Sequence, residues 1–240
     1  MPAREREEIV AGAPALVVCD GPPQAAARRG CVLLHHGLGG HKGLHAPELE
    51  RLAGHGLLAV GIDAVGHGAR RWPDFEARFR TEDGSAARSF LEVVRATAAE
   101  VPAVVGALLS RGWALPGRAG VSMGGFVVYG AALAERRLAA AVSILGSPRW
   151  GSDLPESPHR LPERFFPVAL LSVTGSRDAV VPPGPVRDLH AALAPGYAAA
   201  PDRLRHLELA GAGHEMGDAH WEAAWREATA WLLRHLGDRG

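Results

Sequence analysis

The pentapeptide Gly120-Val121-Ser122-Met123-Gly124, followed at once by Gly125, limits what this chain can fold into more than any other segment. It reads G-x-S-x-G. A short apolar run ends just before it, and a helical stretch rich in small residues follows it. In that setting the pattern predicts a nucleophile elbow, a sharp strand-to-helix turn that presents a serine hydroxyl above a sheet. Glycines are needed because the turn is tight and because strand and helix pack closely around it. Alone, the pattern also fits an ordinary glycine-rich turn. The rest of the chain has to decide.

A nucleophilic serine needs a base, and the base needs an acid that orients it. On elbows of this kind the chain order is serine, acid, histidine. Downstream, the apolar strand beginning at Val168 runs through Gly175-Ser176-Arg177-Asp178 to Pro182, so Asp178 falls just past a strand's carboxyl end. Leu204 to Leu209 alternates as a strand does, and Gly211-Ala212-Gly213-His214-Glu215 follows, which places His214 in a loop just past another strand. Upstream, the buried-type strand Cys31 to His36 runs into Gly37-Leu38-Gly39-Gly40. A glycine-rich turn there can aim a backbone N–H at a developing oxyanion, and Leu38 is the candidate donor. The N–H of Met123, directly after the serine, is the second.

These segments, with Asp63-Ala64-Val65-Gly66-His67-Gly68, resemble the α/β-hydrolases. They most resemble the small esterases of the dienelactone-hydrolase-like and prolyl-oligopeptidase-like branch. The matching residues run from about residue 31 to the C-terminus. The resemblance implies a serine hydrolase that cleaves small carboxylic esters through an acyl-enzyme. Its triad would be Ser122, His214 and Asp178, with no cofactor. Thioesterase, perhydrolase and acyltransferase chemistry use the same parts, and some relatives on this fold only bind. Dienelactone hydrolases carry a cysteine where this chain has Ser122, which argues against that activity.

The elements alternate, which implies α/β class with a mostly parallel, twisted, eight-stranded sheet flanked by helices. Strands are expected near 6–10, 15–19, 31–36, 57–62, 118–121, 139–145, 168–174 and 204–209, the first two as an antiparallel ribbon. Helices are expected near 46–54, 88–111, 123–136, 185–194 and 219–236, with Pro102 kinking or dividing the second. In the last, Trp221, Trp225, Ala228, Leu232 and Leu236 recur at helical spacing. The 240 residues suffice for a single domain over 1–240. The proline-rich segment 147–167 stands where relatives insert a lid, and it is too short for a full one. A loop or one short helix over the site is expected there.

Trp72, Phe75, Trp150 and Phe165, in the irregular segments, are candidates for a substrate pocket or equally for anchoring surface loops. No deep groove is legible, so small esters with acyl chains of about C2 to C6 are expected. Formal net charge is zero, so no basic face for nucleic acid is expected. No apolar run approaches the ~18 residues of a membrane span, and the charged N-terminus has no signal-peptide core, so a cytoplasmic protein without membrane contact is expected. Cys19 and Cys31 lie at apolar strands and read as reduced and buried.

Several residues have competing readings. His35, His36, His41 and His45 cluster and bring zinc to mind, but no carboxylate or H-E-x-x-H partner accompanies them, so no metal is expected. Asp63 and His67 resemble a second catalytic pair but read as a structural turn. Glu208 and Glu215 compete with Asp178 as the acid, yet flank His214 too closely to reach its far ring nitrogen.

Overall fold

The computed structural model describes residues 4–80, 84–113, 116–151 and 154–236. Short runs of valine, leucine and alanine become strands, and the longer amphipathic stretches between them become helices. In chain order these are β1 (Arg4–Val10), β2 (Ala13–Cys19), α1 (Pro23–Arg29), β3 (Cys31–His35), α2 (Ala46–Gly54), β4 (Leu58–Ile62), α3 (Phe75–Phe79) and α4 (Ser85–Ser110). Then come β5 (Pro116–Val121), α5 (Met123–Ala134), β6 (Ala140–Ile144), β7 (Ala169–Gly175), α6 (Gly184–Leu193), β8 (Leu204–Leu209) and α7 (Asp218–Leu236). All eight strands join one sheet in the order β1-β2-β4-β3-β5-β6-β7-β8. The β1–β2 ribbon is antiparallel and joins β4 antiparallel, and β4 through β8 run parallel.

Helices cover both faces, which is why the central strands read as unbroken apolar runs. On one face, Leu49 and Leu52 of α2 and Trp225, Ala228 and Leu232 of α7 pack on Val32, Leu34, Val142 and Leu171. On the other, α1, α4, α5 and α6 pack on Leu33, Val60, Ala141 and Leu170. Arg118 of β5 is wholly buried on that second side and meets His35, so burial pushes its guanidinium down to about 9.

Four local expectations need correction. Pro102 does not divide its helix, because α4 runs unbroken from Ser85 to Ser110. Two short helices, α1 and α3, formed where only loop was expected. By length and composition α4 could cross a membrane, but its Val93, Val94, Val101, Val105 and Leu108 face lies in the core. Within 147–167 the described residues form a loop with two single 3₁₀ turns, Pro158–Arg160 and Pro162–Arg164, in place of one short helix. Both cysteines are buried thiols, and Cys19 Sγ–H donates to the Gly21 carbonyl at 3.4 Å.

The strand order reverses between β3 and β5: the chain goes outward from β3 to β4 on one side and from β5 to β6 on the other. In open parallel sheets the crevice for a ligand lies at such a switch point, outside the carboxyl ends of the strands. The loops after β3 and β5 meet there.

Candidate active site

Ser122 stands between β5 and α5 with φ of 53° and ψ of −115°, a left-handed setting that a side chain rarely adopts. The flanking sequence makes it possible. A Cβ on Gly120 would stand 2.2 Å from the Gly124 carbonyl oxygen, and one on Gly124 would stand 2.2 Å from that of His35. Only glycine lets strand and helix approach this closely. The Ser122 N–H donates to the Ile144 carbonyl at 2.8 Å, and the Ser122 carbonyl accepts from Gly125 at 2.8 Å, so the turn is fixed on both sides.

The three expected partners come together at the sheet's carboxyl edge. Ser122 Oγ lies 2.9 Å from His214 Nε2, and His214 Nδ1 lies 2.8 Å from Asp178 Oδ2. Asp178 is buried, and its other oxygen, Oδ1, accepts the N–H groups of Val180 at 2.9 Å and Val181 at 2.8 Å. That leaves Oδ2 for the imidazole, whose Nδ1–H donates to it. Nε2 is then free to accept from the serine hydroxyl. Glu208 is engaged elsewhere, accepting from Arg187 Nε at 2.7 Å and Nη2 at 2.6 Å.

Leu38 sits in the turn closed by the Gly40 N–H to the Gly37 carbonyl at 3.1 Å. Gly37 abuts the nucleophile, since a Cβ there would lie 3.6 Å from Ser122 Cβ. His36 braces this turn. Its Nε2 accepts the Ala64 N–H at 3.1 Å, so its Nδ1 carries the proton and donates to the Gly37 carbonyl at 2.7 Å. Met123 begins α5, where the first N–H groups of a helix have no partner within it. Leu38, next to Gly37, and Met123, next in the chain, are therefore both neighbours of the serine.

The sequence matches no protein-family model and no curated protein. Solved structures do match. TT1662 of Thermus thermophilus superposes with a TM-score of 0.84 at 24% identity, each chain covered in full. The Pyrococcus furiosus esterase Pf2001 does so at 0.69 and 14%, with 98% of this chain and 93% of that one covered. A puromycin-hydrolyzing peptidase of Mycobacterium tuberculosis gives 0.71 and 19%, with 99% of this chain matching 40% of a longer one. The fold is that of the α/β-hydrolases.

In this α/β-hydrolase fold a cleft of about 780 Å³ opens at Ser122 and His214. That size suits a small organic ligand. Its lining is mainly apolar and includes Leu38, Leu44, Phe90, Phe126, Val181 and Trp221. None of the expected aromatics Trp72, Phe75, Trp150 and Phe165 lines it. They anchor loops instead. Trp72 covers Gly66 beneath the Arg78 guanidinium, and Phe75 packs edge-on to His67 at 4.8 Å. Trp150 fills the gap left by Gly130, and Phe165 is buried against Tyr129. Sequence proximity held a better signal. Val181 lies three positions beyond Asp178, Met216 two beyond His214, and Phe126 on the first turn after the elbow. Phe90, Leu44 and Trp221 arrive only through tertiary packing.

The clustered histidines point in different directions. His35 faces Arg118, His36 braces the Gly37 turn, His41 accepts the Gly43 N–H at 3.2 Å, and His45 faces Glu48. Among the described residues no group of histidine, cysteine, aspartate and glutamate is arranged to hold a metal. Asp63 accepts the N–H groups of Lys42 at 2.5 Å and Ala69 at 2.8 Å, which makes it the staple of its own turn.

Burial keeps three histidines uncharged. It pushes His36 down to about 4 and His190 to about 3, and it holds His35 far below the usual range, with repulsion from Arg118 added. Their native values lie below those of the unfolded chain. Between about pH 6.5 and 4 the unfolded state therefore binds protons that the native state refuses. The contribution of these rings is fully present at neutral pH and falls on acidification, by about 2.5 kcal/mol for His36 at pH 4.5. Urea unfolding is expected to give a clearly lower midpoint at pH 4.5 than at pH 7. A midpoint that holds or rises would contradict the neutral, buried state of these rings.

Proposed function

We propose that this chain is a serine hydrolase that cleaves carboxylic esters. The observation that carries the reading is the unbroken relay from Ser122 through His214 to Asp178, seated on a strained elbow at the floor of a cleft. Ser122 Oγ forms a bond to the ester carbonyl carbon while its proton passes to His214 Nε2. The oxyanion is held by the N–H groups of Leu38 and Met123, each worth about 3 kcal/mol of barrier. The carbonyl re-forms, the bond to the leaving oxygen breaks, and His214 returns the proton to the departing alcohol. Asp178 holds the imidazole tautomer and stabilises the imidazolium. Water then attacks the acyl-enzyme by the same route. It gives its proton to His214, which hands it back to Ser122 as the acid leaves. Ester and water become acid and alcohol, with no cofactor consumed.

Hydrolase neighbours on the same fold, the Pyrococcus esterase among them, support the reading. Thioesters, peracid formation and acyl transfer would run through the same acyl-enzyme, and substrate comparison separates them. A non-catalytic binding role is the other reading, and a fluorophosphonate probe decides between the two. The probe is expected to label the native protein at Ser122 and not the heat-denatured one. Absence of labelling, together with no ester turnover, would favour binding alone.

Every catalytic role is filled by side chains and backbone amides. Exhaustive EDTA treatment is therefore expected to leave turnover of p-nitrophenyl butyrate unchanged. A loss that zinc restores would contradict the mechanism and reopen the role of the histidine cluster.

A further inference from the structure

Ser122 lies between two walls that belong to opposite faces of the sheet. Ala87, Phe90 and Phe126 come from α4 and α5. Leu44, Met216 and Trp221 come from α7 and from the segments leading into α2 and α7. Phe90 and Phe126 meet edge to face, with ring centroids 5.0 Å apart. Across the cleft, the one hydrogen-bond donor of Trp221 is already taken, because its Nε1–H donates to Glu48 Oε1 at 2.7 Å. Its ring stacks on His45 at 5.6 Å and offers the cleft apolar surface only. Among the described residues no arginine or lysine lines the cleft, and its acidic side chain is Glu215.

A tetrahedral centre on Ser122 with its oxyanion turned to the two amides has two substituents left, the acyl chain and the alkoxy group. They diverge, one toward each wall. We propose that the substrate is an uncharged ester with an apolar group, alkyl of about C6 to C8 or aryl, on each side of the scissile bond. We further propose that esters with an anionic acyl arm are rejected. This rests on the serine-hydrolase reading and names its substrate class. Each methylene moved from water onto such a wall favours binding by about fourfold. A carboxylate placed there loses its hydration, meets no arginine or lysine, and shares the cleft with Glu215, the other ionisable groups of the lining being His45, which faces Glu48, and the base His214. The expectation of acyl chains of about C2 to C6 rests on a sequence in which no groove is legible, and the proposed range moves it upward to C6 to C8.

The test is kcat/KM by pH-stat on ethyl acetate, butyrate, hexanoate, octanoate and palmitate, on benzyl acetate, and on the near-isosteric pair ethyl 4-methylpentanoate and monoethyl succinate. The maximum is expected at hexanoate or octanoate, at least tenfold above acetate. Benzyl acetate is expected to exceed ethyl acetate at least threefold, and the neutral isostere to exceed succinate at least thirtyfold. Phe90→Ala and Leu44→Ala are expected to flatten one series each, acyl or alcohol, according to the arm each wall receives. Leu44 is 49% exposed and tolerates a longer side chain. Leu44→Arg is therefore expected to improve succinate relative to its isostere at least tenfold. Turnover of acetate with a flat or falling acyl series, or with succinate equal to its isostere, would overturn the substrate class and leave the hydrolase reading standing. Failure to turn over any ester or to react with the fluorophosphonate would remove both. Walls whose variants shift neither series would overturn the two-wall assignment.

Discussion

Ser122→Ala is expected to remove ester hydrolysis, with a loss on the order of 10⁶ in kcat. The size follows from how the site is built. His214 and Asp178 have no other hydroxyl to activate, and without a nucleophile the relay has no function. What survives is the contribution of the oxyanion amides and of binding. The fold should survive the change, because alanine meets the same left-handed φ as serine and the turn is held by backbone bonds to Ile144 and Gly125. Circular dichroism and the unfolding midpoint should therefore match the parent while turnover vanishes. More than about a tenth of the parent rate in a folded variant would be incompatible with a serine nucleophile.

Asp178→Asn is expected to fold and to lose about 10⁴ in kcat. Here the geometry supplies the reason atom by atom. Asp178 Oδ1 accepts two backbone N–H groups, from Val180 and Val181, so in the variant the amide oxygen must occupy that position. The NH₂ group is then turned to His214 Nδ1, which must accept instead of donate. The imidazole proton moves to Nε2, the atom that has to take the proton of Ser122. The base is present in the wrong tautomer. Glu208→Gln breaks only an exposed pair with Arg187 and should change the rate by less than about threefold. Glu215→Gln, in the cleft lining, should cost less than about tenfold. If either glutamine variant proves more damaging than Asp178→Asn, the acid is misassigned.

The strand positions, the parallel sheet and the placing of Ser122, Asp178 and His214 at one edge of it were legible in the sequence because local chemistry dictates them. An elbow demands glycines at Gly120 and Gly124, and an acid or histidine beyond an apolar run sits at the sheet's carboxyl edge. Its cleft was not legible. Phe90, Leu44 and Trp221 are far apart in sequence and meet only because α2 and α7 cover one face of the sheet while α4 and α5 cover the other. For the conspicuous aromatics the sequence left pocket and loop anchor equally open, for the same reason, and the contacts are those of anchors. Trp150 and Phe165 interrupt an irregular, proline-rich segment, which suggests a lid, yet such a segment needs large apolar anchors to hold it on the core. Of the two outcomes expected at Pro102, a division of the helix does not occur, since α4 runs through it under the packing of its buried face.

The central claim is a covalent acyl intermediate on Ser122. Rapid-quench intact-mass spectrometry of the protein mixed with p-nitrophenyl butyrate, followed by peptide mapping, observes it directly. A mass increase of one butyryl group is expected within the first turnover, located on the Gly120–Gly125 peptide at Ser122 and absent from Ser122→Ala. Steady hydrolysis with no acyl adduct under conditions that trap one, or an adduct mapped to any other residue, would contradict the account.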